Sequence, residues 1–137
     1  MARWRQPATY KEKAMEKIYT DKAPAAIGPY SQAMKVGGLV YTSGQIPINP
    51  ETGVIEAQDI EAQTEQVCKN LEAVLAAAGT SCDKVVKTTC FLTDMASFAS
   101  FNTVYARHFP SCPARSCVAV KELPKGSLVE VEVIAEI

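Results

Sequence analysis

Near the C-terminus, eight residues alternate without a break. Val129, Val131, Val133 and Ala135 fall on one side, and Leu128, Glu130, Glu132 and Ile134 on the other. Side chains along a strand point to opposite faces with a period of two. The pattern therefore predicts a strand with one face on a core and a second face carrying two carboxylates. Such a strand needs cover for its apolar face, and two helical patterns supply it. After Asp59, a plausible N-cap, Ile60, Thr64, Val67, Leu71, Val74, Leu75 and Ala78 recur at helical spacing up to Gly79. Glu65 and Lys69 lie four apart on the opposite face, where they can pair weakly. After Ser97, a second stripe runs through Phe98, Phe101, Val104, Tyr105, His108 and Phe109 and stops at Pro110.

The remaining segments read as strands and turns. Ile18 to Thr20 is a short strand, and Tyr30 to Val36 a longer one. Gly37-Gly38 turns that strand into Leu39 to Thr42. Lys84 to Thr93 places Val86, Thr88, Cys90 and Leu92 on one face and Val85, Thr89 and Phe91 on the other. With both faces fairly apolar, it is expected to be central in the sheet. A further strand follows Pro113, and Pro124-Lys125-Gly126 turns into the last. The fold class is α+β, with two helices packed on one face of a mixed sheet. Two helices leave apolar sheet surface uncovered, so a symmetric oligomer is expected.

The 137 residues suggest one domain, taken as 18–137, preceded by an extension over 1–17. That extension has five cationic residues and two glutamates, a net of +3, whereas the whole chain is -1. A weakly acidic body argues against nucleic-acid binding, which needs a basic footprint. No apolar run approaches the ~20 residues needed to span a bilayer, and residues 1–17, with Trp4 among basic and polar residues and no apolar h-region, do not read as a secretory signal. Five cysteines without a C-x-x-C read as free thiols in a reducing compartment. A cytoplasmic location is expected, or an organelle if residues 1–17 are the remnant of a targeting segment. His108 is the only histidine, which argues against a histidine metal site. Walker A, G-x-G-x-x-G and H-E-x-x-H patterns are lacking, so nucleotide, dinucleotide and zinc chemistry find no support.

Arg115 is the residue on which a functional reading turns. Its guanidinium is a planar fork suited to a carboxylate, placed where Pro113-Ala114 opens into the apolar run Cys117 to Val120. Either an acidic residue of the chain or an anionic ligand would meet it. Glu130 and Glu132 form a carboxylate pair for holding water or moving a proton, or else a solvated face. Tyr30, after Gly28-Pro29, is a candidate for ligand contact or a half-buried aromatic. At Ser43-Gly44 a ligand can approach the backbone closely, or the chain simply turns. Asn102 sits beside the stripe of the second helix, able to orient a ligand or cap a backbone group. Cys117 shares a side with Arg115, as a cleft wall or a small strand hydrophobe.

Several segments carry a family resemblance. They are Ala23-Pro24-Ala25-Ala26-Ile27-Gly28-Pro29-Tyr30-Ser31-Gln32, Thr42-Ser43-Gly44-Gln45-Ile46-Pro47, Val85-Val86-Lys87-Thr88-Thr89, Phe101-Asn102-Thr103-Val104-Tyr105 and Pro113-Ala114-Arg115-Ser116, with the closing Val129 to Ala135. In this order they resemble the Rid (YjgF-like) family, also labelled L-PSP endoribonucleases, from about Ile18 to the C-terminus. The resemblance implies a chorismate-mutase-like fold and a homotrimer with clefts between subunits. It implies 2-iminobutanoate/2-iminopropanoate deaminase activity without a cofactor. Imines and enamines, 2-aminoacrylate among them, would give 2-oxo acids and ammonia. It places Tyr30, Ser43, Asn102, Arg115 and Glu130 at the cleft, with Arg115 gripping the substrate carboxylate and Glu130 positioning water. Backbone N–H groups near Gly44 and Cys117 would complete the cradle. A non-catalytic 2-oxo-acid-binding module, an RNA endonuclease or translation inhibitor, and a holdase chaperone remain as other readings.

Overall fold

The computed structural model describes residues 3–5 and 15–137. Of the extension expected over 1–17, residues 1, 2 and 6–14 lie outside the described residues. Six strands and two helices follow in chain order: β1 (Glu16–Ile18), β2 (Ala33–Val36), β3 (Leu39–Thr42), α1 (Ile60–Ala77), β4 (Val85–Leu92), α2 (Phe98–His108), β5 (Ala114–Ala119) and β6 (Val129–Glu136). They form one sheet in the order β1-β2-β3-β6-β4-β5. All neighbours are antiparallel except β4 and β5, which run parallel because α2 carries the chain back between them. The architecture is the expected α+β one.

Both helices cover the same sheet face. Val40, Cys90, Leu92, Val129, Val131, Val133 and Ala135 meet Val67, Leu71, Val74, Leu75 and Phe101 in one core. Helix α1 begins as expected, with the Asp59 carboxylate accepting from Ala62 N–H at 2.8 Å. It ends where Gly79 turns left-handed at φ 85°. At Gly37 and Gly38 the φ angles are 56° and 80°, the geometry of the tight hairpin predicted there.

Local chemistry moved several boundaries. Strand β2 begins at Ala33 rather than Tyr30, because Gln32 is buried and ties down the preceding loop. Its amide nitrogen donates to the carbonyls of Thr20, Ala23 and Pro24 at 3.1, 3.3 and 2.8 Å, and its oxygen accepts from Thr20 N–H at 2.7 Å. The first strand starts at Glu16, two residues before Ile18, where Glu16 to Ile18 pair with Lys35 to Ala33. Val86 was expected beside Thr88 and Cys90, but a bulge between Val85 and Lys87 turns it out to solvent. Ser97 makes no side-chain cap; Asp94 instead accepts from Ala96 N–H at 2.9 Å in the turn leading into α2. The strand of Arg115 is not buried. It is the sheet edge, with Val118 exposed, and β4 separates it from the last strand, so the two are not neighbours. Among the described residues, no helix is long and apolar enough to cross a membrane.

The two helices are clamped at their exposed seam. His108 places Nε2 2.9 Å from Glu65 and Nδ1 2.6 Å from Glu72. Partial burial would lower the His108 pKa, but hydrogen bonds and charge from the two glutamates hold it above its ordinary value. Its hydrogen bond to Glu65 holds that carboxyl below its ordinary value, with Lys69 and Arg107 adding to the effect. A raised histidine stabilises fully below its unfolded pKa of 6.5 and stops doing so as pH rises through the folded value. A lowered glutamate stabilises above its unfolded 4.5 and loses this as pH falls through the folded value. The clamp is therefore strongest between 4.5 and 6.5. His108→Gln should cost about 1 kcal/mol there, discounted for solvent exposure, and much less at alkaline pH. Urea unfolding of both proteins within that window and at alkaline pH tests this, and a difference that grows toward alkaline pH would contradict it.

Candidate functional site

Arg115 projects from β5 toward α2. Its Nη1 donates to Asn102 Oδ1 at 2.8 Å. The guanidinium carbon lies 4.8 Å from the ring centre of Tyr105, 5.3 Å from that of Phe98 and 5.9 Å from that of Phe101. Cation–π contacts of this kind contribute ~0.5–2 kcal/mol. They orient the cation without neutralising it. Among the described residues, none of the acidic side chains pairs with Arg115. The ion pair kept open as a structural role for this arginine is thus not made among the described residues.

Tyr105 is a site residue that sequence reasoning took only for core. It lies three residues after Asn102, on the same helix face. Its hydroxyl is 2.7 Å from Thr88 Oγ1, and burial pushes its pKa up to about 12, so it stays neutral. Cys117 shares the side of Arg115 and packs against the core. Burial raises its thiol pKa and the nearby guanidinium only partly offsets this, so it is a wall rather than a nucleophile.

A second group gathers around Glu130. Between Tyr41↔Ile134 and Gln45↔Val131 the 41–45 side has one residue more than the 131–134 side. Thr42 Oγ1 fills the gap by accepting from Val133 N–H at 3.0 Å. Ser43 and Gly44 then leave the ladder. The Glu130 carboxylate lies directly over Gly44: a Cβ there would stand 2.3 Å from Oε2 and 2.8 Å from Cδ. Gly44 keeps that slot open for the carboxylate, which a larger residue would push aside. Burial raises the Glu130 pKa, and Glu132 on the same face raises it further. Ser43 Oγ donates to the Ser31 carbonyl at 2.5 Å, tying this strand end to the residue after Tyr30. Tyr30 itself is 44% exposed and its hydroxyl oxygen accepts from Ile27 N–H at 3.3 Å.

The two groups do not meet in one chain. Arg115 is opposite Thr88 across β4–β5, and Glu130 is opposite Phe91 across β4–β6. Thr88 and Phe91 are three apart, so they point to opposite faces. Arg115, Asn102 and Cys117 therefore stand on the helix side and Glu130 and Glu132 on the open side. The single cleft expected for arginine and glutamate is not formed by one copy.

Gly44→Ala should displace the Glu130 carboxylate while leaving the fold intact, because the contacted atoms end a flexible side chain. Gly37→Ala meets no atom but forces a left-handed alanine, at about 1 kcal/mol. Crystal structures and unfolding curves of both variants check this, and an unmoved Glu130 in the first would contradict it.

Comparisons with known proteins bear on the family and the fold. The family model described as Endoribonuclease L-PSP matches residues 20–137. A RutC family protein of Pyrococcus abyssi is 52% identical, over 89% of this chain and 97% of its own. Among solved structures, YyfA of Yersinia pestis, from the Rid protein family, is 55% identical with a TM-score of 0.88, over 90% of this chain and all of its own. E. coli TdcF with bound serine is 44% identical with a TM-score of 0.85, over 89% and 98%. A six-stranded sheet backed by two helices, relatives more than half identical and a family match across the whole sheet from β2 onward lead to one assignment: the chain belongs to the Rid (YjgF-like), or L-PSP endoribonuclease, family.

Proposed function

We propose that this protein hydrolyses 2-imino acids and their enamine tautomers to 2-oxo acids and ammonia. The observation that carries the reading is the Arg115 guanidinium, oriented by Asn102 and three aromatic rings and paired with no acidic side chain among the described residues. Such a cation suits a small carboxylate ligand. Family membership supports it, as does the TdcF structure, whose bound serine has a carboxylate next to a carbon bearing nitrogen.

Substrate chemistry fits the second group of residues. An enamine takes a proton at carbon to become the iminium, water adds to the carbon bearing nitrogen, and the C–N bond breaks as ammonia leaves. Each step needs a group that exchanges protons, and Glu130 with its raised pKa meets that need. No electrophile beyond the iminium is required. Because Arg115 and Glu130 occupy opposite faces of one sheet, the working site takes one from each of two copies. The exposed Val118 and Tyr41, with the open sheet face, favour a closed homo-oligomer, and a homotrimer is our reading. The endoribonuclease in the family's description is less well supported. The sole histidine has both ring nitrogens engaged by glutamates and so offers no imidazole for RNA cleavage.

The assay generates 2-aminoacrylate from serine with a pyridoxal-phosphate dehydratase and follows pyruvate. Arg115→Ala should lower kcat/KM at least about 100-fold with the oligomer intact. Glu130→Gln should lower kcat about 100-fold and remove an acidic limb in the pH profile, since a base with a raised pKa gains activity as pH climbs through it. Co-expression of these two inactive variants should restore about a quarter of the sites if each cleft draws on two copies. A parent protein that does not speed pyruvate formation would refute the deaminase reading, leaving a non-catalytic 2-oxo-acid-binding module.

A further inference from the structure

The peptide unit joining Ala26 to Ile27 is held at both ends. Its carbonyl oxygen accepts from Trp4 N–H at 3.1 Å. Its N–H donates to the Tyr30 hydroxyl at 3.3 Å. The segment of residues 3–5 that supplies the first bond has an anchor of its own: the Arg3 guanidinium carbon lies 3.7 Å from the ring centre of Tyr19. Tyr19 is fixed in turn by its hydroxyl on Asp21. Residues 3–5 lie outside the segment matched by the family model, 20–137.

One peptide group thus links an arm of this chain to Tyr30. Hydrogen bonds in series polarise one another, so a donor at the Ala26 oxygen strengthens the acidity of the Ile27 N–H. The bond from Ile27 to Tyr30 is long and stands to gain from that help. By accepting at its oxygen, Tyr30 keeps its own O–H for donation outward. None of the described residues accepts that proton. With the ring 44% exposed, few other contacts fix its direction.

We propose that Arg3 and Trp4 are positioning residues for Tyr30, the arm aiming the tyrosine hydroxyl at an anionic ligand. This rests on the reading that Tyr30 lines the ligand cleft. The Trp4 contact is made by the backbone, so the side chain is dispensable and the N–H is not. Trp4→Pro removes that N–H, whereas Trp4→Ala retains it.

Two readouts on the full chain test the inference. Amide exchange by NMR reports the Ile27 N–H without substrate. In Trp4→Pro it should exchange about five-fold faster, and in Trp4→Ala at the parent rate. With 2-aminoacrylate generated in situ, Trp4→Pro and Arg3→Ala should raise KM about five-fold with kcat and melting temperature unchanged. An Ile27 amide indifferent to proline would overturn the proposal, as would faster exchange with an unaltered KM. A parent that fails to hydrolyse the imine refutes the deaminase reading alone, because the exchange measurement still decides whether the arm holds this peptide.

Discussion

The alternation of side chains across β4 governs the whole arrangement. Arg115 and Glu130 are each fixed by a cross-strand partner on that strand, Thr88 and Phe91. The odd spacing of those partners sends the cation and the carboxylate to opposite faces. A slip of one residue would bury glutamates under α1 and expose the valines between them. The bulge at Val86 absorbs a residue that would otherwise force that slip. It lets Val85 pair with Ala135 and Lys87 with Ile134, so both ends of the strand keep their core face.

Helix α2 handles two positive groups in opposite ways. At its C-terminal end His108 is sandwiched between carboxylates, which ties α2 to α1. One to three turns earlier, Tyr105, Asn102, Phe101 and Phe98 present Arg115 with rings and an amide. The first arrangement satisfies its charge internally and serves stability. The second orients a cation with an amide and rings and pairs it with no acidic side chain among the described residues.

Much of this was readable from local pattern. Caps and an apolar stripe defined α1, strict alternation defined β6, and two glycines defined the hairpin, because each of these signals lies within a few residues. The Gln32 staple was not legible, since its partners are loop carbonyls eight to twelve residues away. Nor was the edge position of β5, which depends on the α2 crossover rather than on its own apolar residues. Arg115, Glu130, Gly44 and Asn102 were all picked out as candidates. Their division between two faces required the pairing registers on both sides of β4. Tyr105 was hidden by its spacing, which suits a core aromatic equally well.

Gln32 leaves the chain open to one kind of chemical ageing. Hydrolysis of its side-chain amide to an acid would replace a nitrogen donor with an oxygen facing three backbone carbonyls. Contacts that now attract would repel, and the loop leading to Tyr30 would lose its tether. The burial that keeps water from this amide therefore guards the lifetime of the molecule as well as its shape.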